Sequence, residues 1–167
     1  RGEVPGEDRP NMFRAVNLFQ AACAFDVADG CVAAARMYLT MEAGMQLVLP
    51  AGTPSADLGA AAEQLRFACE KGVLPACGQM GDLYVNPAAV VPAGALTRGV
   101  AQDYFYAAQA YQAGCNEAAA KLPSDVRPDG RTDARSCARL GELHERGAGV
   151  PLNASAAADY YDRACRA

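Results

Sequence analysis

The chain has 167 residues, a mass of 17.4 kDa and a net charge of −4, with 51% hydrophobic and only 7% aromatic residues. One domain is expected at that length, the hydropathy is too high for a wholly disordered chain, and the negative balance argues against a general nucleic-acid binder, which needs a cationic face. Thirty-seven residues are Ala and none is Trp, so burial comes through many small side chains, a composition suited to closely packed helices. The longest uncharged run, Leu83 to Thr97, is interrupted by Pro87 and Pro92, so no membrane span is expected.

Residues 1–10, rich in Gly, Pro and charge, read as a flexible leader before a single domain over 11–167. A first helix, capped by Asn11, places Met12, Val16, Phe19 and Cys23 on one face. A second, with Asp29 as its cap, carries Cys31, Ala34, Ala35 and Tyr38. A third starts after Ser55 and aligns Leu58, Ala62, Leu65 and Cys69. Gly72 follows as the residue past its end, and Pro75 opens a fourth helix with Cys77, Met80, Gly81 and Tyr84. A fifth aligns Tyr104, Ala108, Tyr111 and Cys115. Pro123, Pro128, Asp129 and Gly130 mark an inserted loop. A sixth, capped by Asp133, carries Cys137, Leu140, Gly141 and His144, and a seventh, capped by Asn153 or Ser155, ends on Ala154, Ala158, Tyr161 and Cys165. Steps of three and four keep each set on one helical face.

The cysteines repeat at equal intervals. Cys23 to Cys31 and Cys69 to Cys77 are both 8 positions, and Cys23, Cys69 and Cys115 are spaced 46 apart. Equal spacings signal stacked repeats. Eight residues along a straight helix rise about 12 Å, whereas a disulfide needs Cα atoms within about 7 Å. The pairs therefore bond only if the chain reverses between them, and the Gly- and Pro-containing segments supply the turn. Each pair reads as a staple at the tight end of an αα-hairpin, adding about 2.5 kcal/mol by loop entropy and pointing to an oxidising compartment. Two other readings stand beside it: reduced thiols buried in a cytosolic protein, and a metal site, although no Cys-x2-Cys occurs and the one His is His144. Cys115 pairs with Cys137 by elimination, across 22 positions. Cys165 is left unpaired, either as a free thiol or because a further repeat is missing.

Laid out this way, the chain resembles the Sel-one-like repeat family, relatives of tetratricopeptide repeats, and in particular its cysteine-rich bacterial members. The clearest stretches are CARLGELHERGAGV from Cys137 to Val150 and AADYYDRAC from Ala157 to Cys165, with His144 where the family pattern has Tyr. CGQMGDLY from Cys77 to Tyr84 repeats the first half, and CVAAARMY from Cys31 to Tyr38 does so without the Gly. The resemblance implies an all-α, right-handed α/α superhelical solenoid of about seven helices, in repeats of about 11–54, 55–96, 97–151 and a half-repeat 152–167. It also implies an exported, periplasmic or secreted scaffold that binds a protein or peptide partner. The first two connections between repeats are ten residues longer than the third, so the family's regular curvature is not assumed.

Chemistry is sparse. There is no His-Glu-x-x-His and no phosphate-binding Gly loop. Some cysteine-rich relatives are assigned β-lactamase activity, but Ser55, Ser124, Ser136 and Ser155 are followed three residues on by Leu58, Arg127, Arg139 and Ala158, so none forms Ser-x-x-Lys. No catalytic, metal-binding or cofactor-binding residue is expected, and His144 reads as a packing residue. Asn153-Ala-Ser155 has the form of a glycosylation sequon, although a helix cap accounts for it. The expected partner-binding residues are Leu47, Leu49, Val90 and Val91 in the apolar inserted connections, with Phe105 and Tyr106 beside Tyr104 on the fifth helix. The alternatives to a scaffold are a cell-wall-active hydrolase and a cytosolic adaptor with reduced thiols.

Overall fold

A computed structural model describes residues 12–40, 55–91, 96–115 and 132–167. Among these residues seven α-helices follow one another: α1 (Met12–Ala24), α2 (Ala28–Thr40), α3 (Leu58–Glu70), α4 (Leu74–Val85), α5 (Tyr104–Cys115), α6 (Ala134–Arg146) and α7 (Ala154–Arg166). Each packs chiefly against its neighbours in the chain, and α1 reaches α3 and α4 reaches α6 only slightly. Contacts that stay this local define an α/α solenoid. Among the described residues no helix is long and apolar enough to cross a membrane.

The hairpins close at their cystines. Cys23–Cys31, Cys69–Cys77 and Cys115–Cys137 are bonded, with Cα atoms 4.7, 4.9 and 4.7 Å apart, while Cys165 is a free, exposed thiol. Six of the seven sulfurs are thus buried at helix seams where α1 meets α2, α3 meets α4 and α5 meets α6. At the second bend Gly72 has φ 88°, a left-handed conformation that suits Gly, and its N–H donates to the Cys69 carbonyl. Pro75 then sits in the first turn of α4.

The caps differ in part from expectation. Asp133 and Asn153 accept from the Ser136 and Ala156 amides at 3.0 Å each. Asp57, not Ser55, caps α3, accepting from the Ala60 amide at 2.9 Å. The reason is that Ser55 lies in a short strand, β1 (Ser55–Asp57), which pairs in parallel with β2 (Leu96–Arg98). The two long connections are therefore tied to each other. Asp29 lies in the first turn of α2, which begins at Ala28, rather than at its cap. Asn11, the 1–10 leader, Leu47, Leu49 and the Pro123–Gly130 loop lie outside the described residues.

The core forms two clusters. One joins Cys23, Cys31, Ala35, Leu58, Leu65 and Leu83, and the other joins Ala107, Tyr111, Leu140 and Leu143. Successive hairpins meet by a repeated contact. A Cβ built on Gly81 would stand 2.4 Å from the Tyr111 ring, and one on Gly141 would stand 2.8 Å from the Tyr161 ring. A second-helix glycine thus receives the tyrosine four residues before the next first-helix cysteine. In the first repeat the same two seats hold Ala35 and Leu65, which share a cluster. A Cβ is restored on one side and the hydroxyl is lost on the other.

Tyr111 is 1% exposed, and its hydroxyl donates to Asp82 at 2.8 Å, while Arg135 lies 2.7 Å from the same carboxylate. Burial above all, then the hydrogen bond and the charge of Asp82, push the phenol above its ordinary value of 10.0. The unfolded chain ionises this tyrosine near 10 while the folded chain keeps its proton. The contribution is therefore whole below about pH 10 and is lost as pH rises further. Urea unfolding of a Cys165→Ser protein, in which no free thiolate reshuffles the staples, is expected to show stability falling above about pH 10. Tyr111→Phe is expected to flatten that fall and to lower neutral-pH stability by about 1 kcal/mol.

Candidate functional site

The start of α5 is fixed to the end of α4. The Asp103 amide donates to the Tyr84 carbonyl at 2.9 Å, and the Asp103 carboxylate accepts from the Phe105 and Tyr106 amides at 2.9 and 3.1 Å. Gln102 donates to the Val85 carbonyl and to the Tyr104 hydroxyl. This anchoring holds three consecutive aromatic side chains at the surface. Phe105 and Tyr106 are 57% and 54% exposed. Tyr104, expected in the core, is also exposed. Its helix begins level with the end of α4, and a first-turn side chain leans back toward the N-terminus, beyond the helix it was expected to lie on. Tyr106 stands 5.6 Å from Tyr84 between ring centroids, and Phe105 meets Tyr106 edge-on at 5.9 Å, geometries favoured by aromatic quadrupoles.

Phe105 also forms one wall of a groove of about 370 Å³ between α5, α6 and α7. Gln109 and Gln112 continue that wall, Leu140 and His144 come from α6, and Tyr160 from α7. His144 stacks on Tyr160 with centroids 5.4 Å apart and planes 16° from parallel, and its Nδ1 lies 3.2 Å from the Pro151 carbonyl. With Nδ1–H donating to that carbonyl, Nε2 is the acceptor nitrogen. The Arg163 guanidinium lies 5.4 Å from the Tyr160 centroid. Gly149 also lines the groove and is packed so tightly on the first turn of α5 that a Cβ would fall 2.3 Å from the Tyr104 carbonyl.

A second groove, of about 360 Å³, lies between α1 and α3 nearer the cystine end of the hairpins and is lined by Gln20, Cys23, Gln64, Phe67 and Lys71. Gln20 donates to the Tyr38 hydroxyl, Lys71 pairs with Asp26, and the buried Gln64 Oε1 has no hydrogen-bond partner among the described residues.

The expected partner-binding residues that are described fall in two places. Phe105 and Tyr106 join the α5–α7 groove. Val90 and Val91 lie half-buried against the first core cluster, beside a 3-10 turn at Pro87–Val90. His144 serves as a packing residue and as a groove wall together. The groove itself was not anticipated. Its one sequence signal is Tyr160, an aromatic where Gln64 and Ala110 hold the equivalent place five residues before Cys69 and Cys115. Because Phe105 and Tyr106 hold no hairpin shut, Phe105→Ala and Tyr106→Ala are expected to change unfolding free energy by less than about 0.5 kcal/mol in urea titrations. Leu140→Ala in the adjoining core is expected to cost about 2–5 kcal/mol.

No protein-family model and no curated protein matches the sequence. Among solved structures, the chain is similar to a Sel1 repeat protein from Oxalobacter formigenes, at 20% identity over 99% of this chain and 97% of that one, with a TM-score of 0.59. It is similar to cysteine-rich protein B of Helicobacter pylori, at 20% identity over 98% and 92% of the two chains, with a TM-score of 0.53. It also matches c5321, a protective antigen present in uropathogenic Escherichia coli strains and displaying an SLR fold. That match has 20% identity and a TM-score of 0.55, and covers 90% of this chain and 25% of that one. The chain therefore has the Sel1-like repeat fold, with its hairpins stapled by disulfides.

Proposed function

We propose that the protein is a non-catalytic scaffold that binds an extended segment of a protein partner in the groove between α5 and α7. The carrying observation is the continuity of exposed aromatic surface: Tyr106 leads to Phe105, and Phe105 faces Tyr160 and His144 across the groove. Exposed aromatics beside a preformed concavity are what binding hot spots are made of, and amide side chains such as Gln109 and Gln112 suit the hydrogen-bonding groups of a peptide backbone. The working unit is the 11–167 domain in repeats 11–54, 55–96, 97–151 and 152–167.

The three cystines support a site of action outside the reducing cytoplasm, in a bacterial periplasm or the secreted space. Intact mass after alkylation without reductant is expected to show one modified thiol, Cys165, of the seven cysteines. Modification of most of them in protein taken from its native source would favour the cytosolic adaptor instead.

Peptides selected on the purified protein from a display library test the groove. Their affinity is expected to fall at least about tenfold on Phe105→Ala and on Tyr160→Ala. Peptides that bind both variants as tightly as the parent would place recognition elsewhere, and saturable turnover of a β-lactam would replace the scaffold reading with the hydrolase.

A further inference from the structure

Gln64 on α3 is 7% exposed, and its Oε1 has no hydrogen-bond partner among the described residues. A buried amide left unpaired lowers stability, because its hydrogen bonds to water are lost and nothing replaces them. Packing does not call for an amide there: Ala110, at the equivalent place five residues before Cys115, is 2% exposed and fills its seat with a methyl group. Gln64 lines the groove between α1 and α3, with Gln20, Ala24, Phe67 and Lys71 around it. Gln20 is oriented by α2. Its Nε2 donates to the Tyr38 hydroxyl at 2.9 Å, which leaves its Oε1 as an acceptor. The cations at this groove are already answered. Lys71 pairs with Asp26, and Arg66, whose guanidinium lies 4.5 Å from the Phe67 centroid, pairs with Glu70 at 2.6 Å.

We propose that the α1–α3 groove is a second binding site, which takes one residue of an uncharged peptide segment, its backbone amide paired with the Gln64 amide and its apolar side chain against Phe67 and Ala24. The inference is independent of the α5–α7 groove, although the two share lining positions: the residue three before the cysteine of the earlier helix, Gln20 or Gln112, and the residue five before the cysteine of the later one, Gln64 or Tyr160. A peptide group offers a donor and an acceptor together, as the Gln64 amide does. A half-turn of that amide exchanges Oε1 and Nε2 within the same outline, so either atom can be presented to the ligand. A purely apolar occupant would leave Gln64 unpaired and exclude water from it as well. A charged occupant would meet cations that already have carboxylate partners. The volume of about 360 Å³ lies at the small end of ligand pockets, which run from about 300 to 1,000 Å³, and suits a single residue better than a folded element.

Titration of the isotope-labelled, oxidised full chain with N-acetyl-leucine N-methylamide, followed by nuclear magnetic resonance, tests this. Saturable shifts of the Gln64 side-chain amide and of backbone amides on α1 and α3 are expected. The diester of the same shape, in which oxygen replaces both N–H groups, is expected to bind at least about tenfold more weakly. Gln64→Met keeps the length of the side chain and removes its amide. It is expected to bring the amide probe level with the diester and to raise the thermal midpoint, since a buried unpaired group is gone. Gln20→Met, at a half-buried position, is expected to weaken the amide probe as well. Equal binding of amide and diester, or a Gln64→Met protein that binds as the parent does, overturns the proposal. Shifts confined to the α5–α7 groove overturn it too, while leaving the scaffold reading of that groove standing.

Discussion

Two short helices faced largely with alanine bury little area, and a hairpin made of them needs something besides apolar contact to keep it shut. Here that is the cystine at each bend. The loop-entropy contributions of the three staples together come to about 8 kcal/mol, comparable to the whole stability of a typical domain, roughly 5–15 kcal/mol. The cystines also fix which faces meet. With Cys69 and Cys77 bonded, α3 and α4 are held together at the bend in the arrangement that turns Gly81 to the next hairpin. The tyrosine-on-glycine contact, and the tie from Tyr111 to Asp82 and on to Arg135, follow from that.

The parts of the fold legible in the sequence were those that recur. Eight residues between cysteines allow a bond only through a reversal, and the three- and four-residue steps around each cysteine mark a helix face. Gly81 and Gly141 stand at the same step, four residues after a cysteine, and each receives a tyrosine ring of the next hairpin. Features that occur once, or depend on distant chain, were not legible. β1 and β2 are three residues long and leave no alternation to read, and only their pairing explains why Asp57 caps α3 in place of Ser55. Tyr104 fits the stripe by count, but a helix start level with its neighbour's end has nothing above it to bury against. Phe19 fits the stripe equally well and is half-uncovered, because the seat it fills needs a preceding helix.

The candidate site was legible by halves for the same reason. Three consecutive aromatics on one helix cannot share a face, so exposure of Phe105 or Tyr106 followed from helical geometry alone. The opposite wall, His144 stacked on Tyr160, comes from two other helices and a loop that Gly149 lets lie directly on α5. The rigidity of that groove is again the work of the staples. Cys115–Cys137 sets α5 against α6, and Tyr161 on Gly141 sets α6 against α7. A partner meets walls already in place and does not lose affinity to ordering them.

The dependence of the whole on its cystines is tested most directly by far-ultraviolet circular dichroism of the fully reduced and alkylated chain beside the oxidised one, at neutral pH without denaturant. The account predicts that the reduced chain loses most of its helical signal while the oxidised chain keeps it. A reduced, alkylated chain with undiminished helix and a cooperative thermal transition would contradict it.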